Sequence, residues 1–412
     1  MFNAKVNVKL VQIIKLGMDE FEEFAFALLD QISVELTEEN TIKESQSKAA
    51  EVFASKITFD DIKTISERLF SDSSHKVAQF TGIEVSNTKI EFPDLVEFKR
   101  LKGRKVFPAK NSVAFVDELF TALAQENTDK ISSLAKSNTQ QFLVYSTYAK
   151  GYISQISTTY GDFYESTIYL NRFVLASYPQ IILHKQGPPY ESNFNQVNSG
   201  YQGALKMTIL EEQVHSIQKN LYETNKNAVI QVNEINEELA NIILSLDSTK
   251  IKGLYEYLQL PPVPDEYPIA QRANLFFTLN PDNFIVRVLG PDVMTFNKVS
   301  VDPKILEFIP ELLDVYQRWL KPIQTHHAAF TIMEGMAEFA VRNILKDDQD
   351  FHNYLVTFAN TDISAYQIRK SMGMDFTEYV TGKVGKNAYK TLIENPPTTR
   401  ELKNPESYLA RI

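Results

Sequence analysis

Glu211, Glu212 and His215 stand together in the run Glu211-Glu212-Gln213-Val214-His215, and Glu334 and Glu338 stand four apart in Glu334-Gly335-Met336-Ala337-Glu338. A helix repeats every 3.6 residues, so residues four apart share one face a turn apart. Glu211 and His215 can therefore grip one cation, with Glu212 beside them. A metal held with an open position lowers the pKa of a bound water, and a neighbouring carboxylate can take the proton.

Each piece also has a plain reading. Two glutamates in succession on a helix are commonly a solvated face, and a single histidine at its end is commonly hydrogen-bonded in the core. The second pair differs. Ala328, Ala329, Ile332, Met333, Met336, Ala337, Phe339 and Ala340 surround Glu334 and Glu338 in the helical projection. Carboxylates in such surroundings need a metal, a cation or a proton. His326 and His327, two turns before Glu334, are candidates for a supporting role around the metal, or for the polar start of a helix. Tyr379 and Tyr389 are candidate donors to a developing oxyanion, and Trp319 is assigned to the core.

Taken together, these runs resemble the gluzincin group of zinc metallopeptidases. Those enzymes carry H-E-x-x-H followed by a Glu on a later helix, in an E-G-x-A-[ED] run. Here Glu211 stands where the first His belongs. Near the C-terminus, Tyr379-Val380-Thr381-Gly382, Pro396-Pro397-Thr398-Thr399-Arg400-Glu401 and Asn404-Pro405-Glu406-Ser407-Tyr408-Leu409 resemble the closing segment of a gluzincin-like family, Y-x-x-G leading to P-P-x-S-T-E-Q-x-x-H-P-E-K-Y-L. The resemblance covers roughly the second half of the chain. It implies metal ligands Glu211, His215 and Glu334, Glu212 as general base, and Glu338, His326 and His327 as support.

The His-to-Glu replacement changes the expected electrostatics. Two neutral histidines and one carboxylate leave a divalent ion one net positive charge, and a second carboxylate cancels it. A neutral centre polarises water less. Carboxylate-rich sites also suit manganese or iron better than zinc. The implied cofactor is one divalent metal, zinc first, with manganese or iron as alternatives. The expected activity is peptide-bond hydrolysis on a peptide or protein substrate. Its rivals are an inactive zincin relative serving as a metal-binding scaffold, and a carboxylate-rich di-metal protein. The last is weakened because Glu212-Gln213-Val214-His215 is a single copy of the E-x-x-H that di-iron bundles use twice.

Composition removes other classes. The chain has 412 residues, no cysteine and a formal net charge of -10. Without cysteine there are no disulfides, thiolate metal sites or cysteine nucleophile. The acidic balance argues against sequence-independent nucleic-acid binding. The basic run Lys99-Arg100-Leu101-Lys102-Gly103-Arg104-Lys105 reads as a solvated loop. No apolar run is long enough to span a membrane, and no signal peptide is expected, so the protein is assigned to the cytoplasm. There is no G-x-S-x-G elbow, P-loop lysine or G-x-G-x-x-G.

The elements that must position these groups follow from periodicity. The fold is expected to be α+β and mainly helical, with an N-terminal helical region over 1–110 and a gluzincin-like domain with a small sheet over 111–412. Phe21, Phe24, Ala25, Leu28, Leu29 and Ile32 recur at helical spacing, and Thr58-Phe59-Asp60-Asp61 reads as a helix start. Residues 82–104 read as strand or loop, Thr167–Leu175 as either strand or buried helix, and Gly187–Asn193 as loop. Helices are expected near 200–221, 228–246, 303–320 and 322–345, with strands at Phe276–Leu279 and Asn283–Leu289. An edge strand near the metal would hold an extended substrate. The long span between His215 and Glu334 suggests an insertion over the site.

Overall fold

A computed structural model describes residues 19–30, 47–85, 88–153, 159–282, 294–358 and 365–412. The fold is mainly helical with one small three-stranded sheet, as expected. The chain divides into two compact units, each of three stretches. One is Met1–Val34, Lys102–Ser154 and Lys226–Gln324; the other is Glu35–Leu101, Gln155–Asn225 and Thr325–Ile412. This is a different partition from 1–110 and 111–412. The span between His215 and Glu334, expected as an insertion, lies mostly in the first unit.

The second unit holds the sheet and all of Glu211, His215 and Glu334. Its strands are β1 (Lys89–Glu91), β2 (Gly161–Tyr164) and β3 (Thr167–Leu170), in the order β1-β3-β2, with β1 parallel and β2 antiparallel to β3. Ile90 and Phe163 both stand opposite Ile168. Ile168 and Leu170 share a buried cluster with Tyr201, Ala204, Leu205 and Ile209 from the helix Tyr190–Ile217. The sheet thus lies against the helix that carries Glu211.

That helix is covered from several directions, which is why its apolar residues do not gather on one stripe. Opposite Gly203, the helix Gln349–Thr357 comes so close that a Cβ would sit 2.1 Å from the Asp350 carbonyl oxygen. Lys206 closes this contact, with Nζ 2.7 Å from Asp348 and 2.8 Å from Asp350. The helix Phe59–Thr81 packs here too. Its start is the expected one: the Asp61 amide donates to Thr58 Oγ1 and the Thr58 amide donates to Asp61 Oδ2, a reciprocal cap. Gln213 Nε2 donates to the Phe70 carbonyl at 2.7 Å, and Val77 enters the same core as Leu210, Val214, Ile332 and Tyr389.

The first unit is helical, including residues 20–30 and the helices Val113–Ala124, Thr128–Ser137 and Thr139–Ile153. Several expectations are corrected. Phe276–Leu279 is the last turn of the helix Pro268–Leu279 rather than a strand; four apolar residues carry no period that separates the two. Asn283–Leu289 lies outside the described residues. The passage over 82–104 gives β1 and then the helix Leu95–Arg104, so much of the basic run is helical rather than loop. Thr167–Leu175 splits into β3 and the start of Arg172–Gln186, which Asn171 caps by accepting from the Phe173 and Val174 amides. Helix begins at Tyr190, inside the expected Gly187–Asn193 loop, and the next helix starts at Lys219 rather than near 228. Pro303–Phe308 is short, whereas Leu312–Ile344 runs unbroken through Pro322. Proline removes one helical hydrogen bond, but buried Trp319, Leu320 and Ile323 hold the turns on either side.

Candidate metal centre

Glu211, His215 and Glu334 converge. Each offers one ligand atom, and these atoms lie within 4.8 Å of one another. His215 Nε2 is 3.8 Å from Glu334 Oε1, with both side chains 12% exposed. Ligand bonds of about 2.1 Å in a tetrahedral site would set ligand atoms about 3.4 Å apart, so closure needs small side-chain movements only. The donor set, one imidazole and two carboxylates, could hold a metal ion.

The imidazole is oriented for it. His215 Nδ1 lies 2.9 Å from Gln218 Oε1, and Gln218 Nε2 donates to the Met333 carbonyl at 3.0 Å. The second bond fixes which amide atom faces the histidine, so the neutral ring carries its proton on Nδ1 and keeps the Nε2 lone pair toward Glu334. Gln218, fully buried at the end of the Glu211 helix, therefore links the two ligand helices. Its only signal in the sequence is its place three residues beyond His215.

Burial works against charging His215, but the carboxylates of Glu334, Glu212 and Glu211 outweigh it and raise the pKa above the ordinary histidine value. Glu212, 8% exposed, is thus within electrostatic reach of the imidazole.

The backbone brings the remaining charge. Gly335, between Glu334 and Glu338, meets Gly373 of the helix Ala365–Val384 at backbone contact: a Cβ on Gly335 would sit 2.0 Å from the Gly373 carbonyl carbon, and one on Gly373 would sit 2.0 Å from the Thr331 carbonyl oxygen. No side chain larger than hydrogen fits this crossing. One turn before Gly373 stands Lys370, 10% exposed, whose Nζ pairs with Glu211 Oε1 and lies 3.3 Å from Glu338 Oε2. Arg342 Nε pairs with the other Glu338 oxygen at 2.5 Å. Lys370 lies outside every run singled out in the sequence.

The other candidates have partners or surroundings of their own. His326 Nδ1 is 2.7 Å from Asn225 Oδ1, and Arg369 Nη1 donates to His327 Nδ1 at 2.9 Å. Burial, with the neighbouring Arg369, holds His326 down to about 4; burial, with His326 and Arg369, holds His327 well below the usual value. Both are neutral. Tyr389 is buried and donates to the Met336 carbonyl at 2.7 Å, so it braces the Glu334 helix. Tyr379 lines a surface cleft with Ile368, Met372, Asp375 and Leu402. Trp319 is in the core, as expected.

The C-terminal run has a structural account of its own. Thr398 and Glu401 form a reciprocal cap on Thr399–Lys403, Pro405 opens Pro405–Arg411, and Arg411 clamps Glu401 at 2.6 and 3.1 Å. Tyr408 is fully buried and donates to the Asn395 carbonyl at 2.8 Å. Among the described residues no helix is long and apolar enough to cross a membrane. Comparison of the chain with protein families, with characterised proteins and with solved structures finds no match.

Proposed function

We propose that this chain is a metal-dependent hydrolase of gluzincin type, in which Glu211, His215 and Glu334 hold one divalent ion, zinc first, and Glu212 is the general base for cleavage of a peptide bond. One observation carries this reading: side chains from two helices, 119 positions apart at the closest pair, meet around a space that a cation fits. Supporting it are the His215 tautomer set by Gln218 and the placement of Glu212 one residue along from a ligand. A bound divalent ion would lower the pKa of water and polarise the scissile carbonyl. Glu212 would accept the proton of the attacking water and pass it to the departing amine. The antiparallel strand β2, an edge of the sheet among the described residues, is a candidate for pairing with an extended substrate.

Purified protein dialysed against trace zinc is expected to retain one metal equivalent, and His215→Ala to lose it. Glu212→Gln is expected to keep the metal while peptide hydrolysis falls by about a hundredfold or more. The pairing of Lys370 with Glu211 favours a second reading, a closed metal-binding scaffold without peptidase activity. Metal retained by wild type with no hydrolysis of a diverse peptide library would select that reading. Absence of metal in wild type would remove both.

A further inference from the structure

We infer that Lys370 is the built-in counter-cation of Glu211, so that the Glu211–Lys370 pair stands electrostatically where a neutral histidine would stand and sets the charge that a bound metal meets. This rests on the metal reading above, and concerns a residue that reading does not use.

The second carboxylate was expected to cancel the positive charge left on the ion. The structure supplies the missing partner: the Lys370 ammonium lies on the Glu211 carboxylate, with little exposure on either side chain. The pair sums to zero, as a neutral histidine does. Glu338, the other carboxylate Lys370 approaches, has Arg342 on its second oxygen. His215 and Glu334 then present the ion with the single negative charge that two histidines and one glutamate present. Lys370 cannot drift from this place cheaply, because the Gly335–Gly373 crossing locks its helix onto the Glu334 helix at backbone distance. In a site with little solvent, one unit of charge next to a metal is not screened away. Lys370 is therefore a positioning and charge-setting residue rather than a ligand.

The test is a charge ladder read as zinc affinity, by calorimetric titration of metal-free protein, with manganese run in parallel. Lys370→Met removes a positive charge and should bind the ion tighter than wild type. Glu211→His leaves Lys370 without its carboxylate and should bind weaker, by about ten- to a hundredfold. Glu211→His with Lys370→Met removes both charges, so it keeps the wild-type net charge with an imidazole in place of the carboxylate, and should return to near wild-type affinity. Lys370→Arg keeps the charge and should stay near wild type, which covers the chance that the methionine variant folds poorly. His215→Ala separates the two claims. If His215→Ala abolishes binding but Glu211→His binds zinc as well as wild type, or Lys370→Met binds it more weakly, the role of Lys370 is overturned and the metal site stands. If wild type binds no zinc or manganese, both claims fall.

Discussion

Each unit of the molecule holds partly buried carboxylates, and they do it differently. In the first unit Glu237 accepts hydrogen bonds from Ser112 and Tyr145, each at 2.6 Å, and Asp282 accepts from Trp319 at 2.8 Å and Asn236 at 2.9 Å. These donors are neutral groups, and among the described residues these carboxylates belong to no metal-holding cluster. In the second unit Glu211 and Glu334 stand near one histidine, Lys370 joins Glu211 to Glu338, and Arg342 pairs with Glu338. Neutral donors suffice where a carboxylate is a structural acceptor. Carboxylates that face one another repel, and they stay together only if cations are supplied. The first arrangement builds a core; the second could hold a cation.

The largest expected effect breaks the second arrangement. In metal-free protein, Lys370→Met leaves Glu211 without its close ammonium and Glu338 with Arg342 as its ionic partner. Removing one member of a buried pair costs about 3–5 kcal/mol. Hydrogen exchange should show lost protection over Tyr190–Ile217 and Leu312–Ile344 near the cluster, and added zinc should restore it. A variant as protected as wild type without metal would show that the cluster does not need its lysine. The matching change in the first unit is Trp319→Phe, which takes one donor from Asp282 while keeping most of the ring. A hydrogen bond to a charged group is worth about 1.5–3 kcal/mol. Protection should fall around Leu312–Trp319 and Pro268–Leu279, and zinc should have no effect. Rescue by zinc there would erase the distinction between the two units.

What the sequence made visible is what local spacing controls. Glu211 and His215 share a face because of the helical period, and Glu334 reads as buried because its neighbours are apolar. Thr58 announces a helix by the reciprocal cap it forms with Asp61. Lys370 was invisible, since its partner is 159 positions away and nothing in Arg369-Lys370-Ser371 marks it. Gly335 could be noticed as part of a resemblance, but its physical reason, backbone contact with Gly373, exists only after two distant helices cross. The C-terminal run resembles a family segment, and its hydrogen bonds show caps and a buried tyrosine that would be useful in any helical protein. The false strand at Phe276–Leu279 came from a run too short to show a period, and the expected break at Pro322 from a local rule that packing overrode.

The smallest expected effect is on pH; its sign is the same in the two units and its cause differs. His215 has a raised pKa in the metal-free fold, because Glu334, Glu212 and Glu211 outweigh its burial. The folded state then holds its proton more tightly than the unfolded chain does. This contributes stability that is fully present below the ordinary value of 6.5 and is lost as pH rises through the folded pKa, at no more than about 1.4 kcal/mol per pH unit. Asp282 also has a raised pKa, from burial, offset in part by Asn236 and Trp319, so its loss of stability begins lower, as pH rises above 3.8. Glu334→Gln should flatten the slope above pH 6.5 in the second unit. Trp319→Phe should instead extend the acid-side slope of the first unit upward, because a bond that lowers the Asp282 pKa is gone. Zinc competes with the proton on His215, so saturating metal should remove the slope above 6.5 and leave the Asp282 slope as it was. If the slope above 6.5 persists unchanged in Glu334→Gln, the carboxylate at 334 does not govern the imidazole, and the pairing that distinguishes the second unit loses its electrostatic basis.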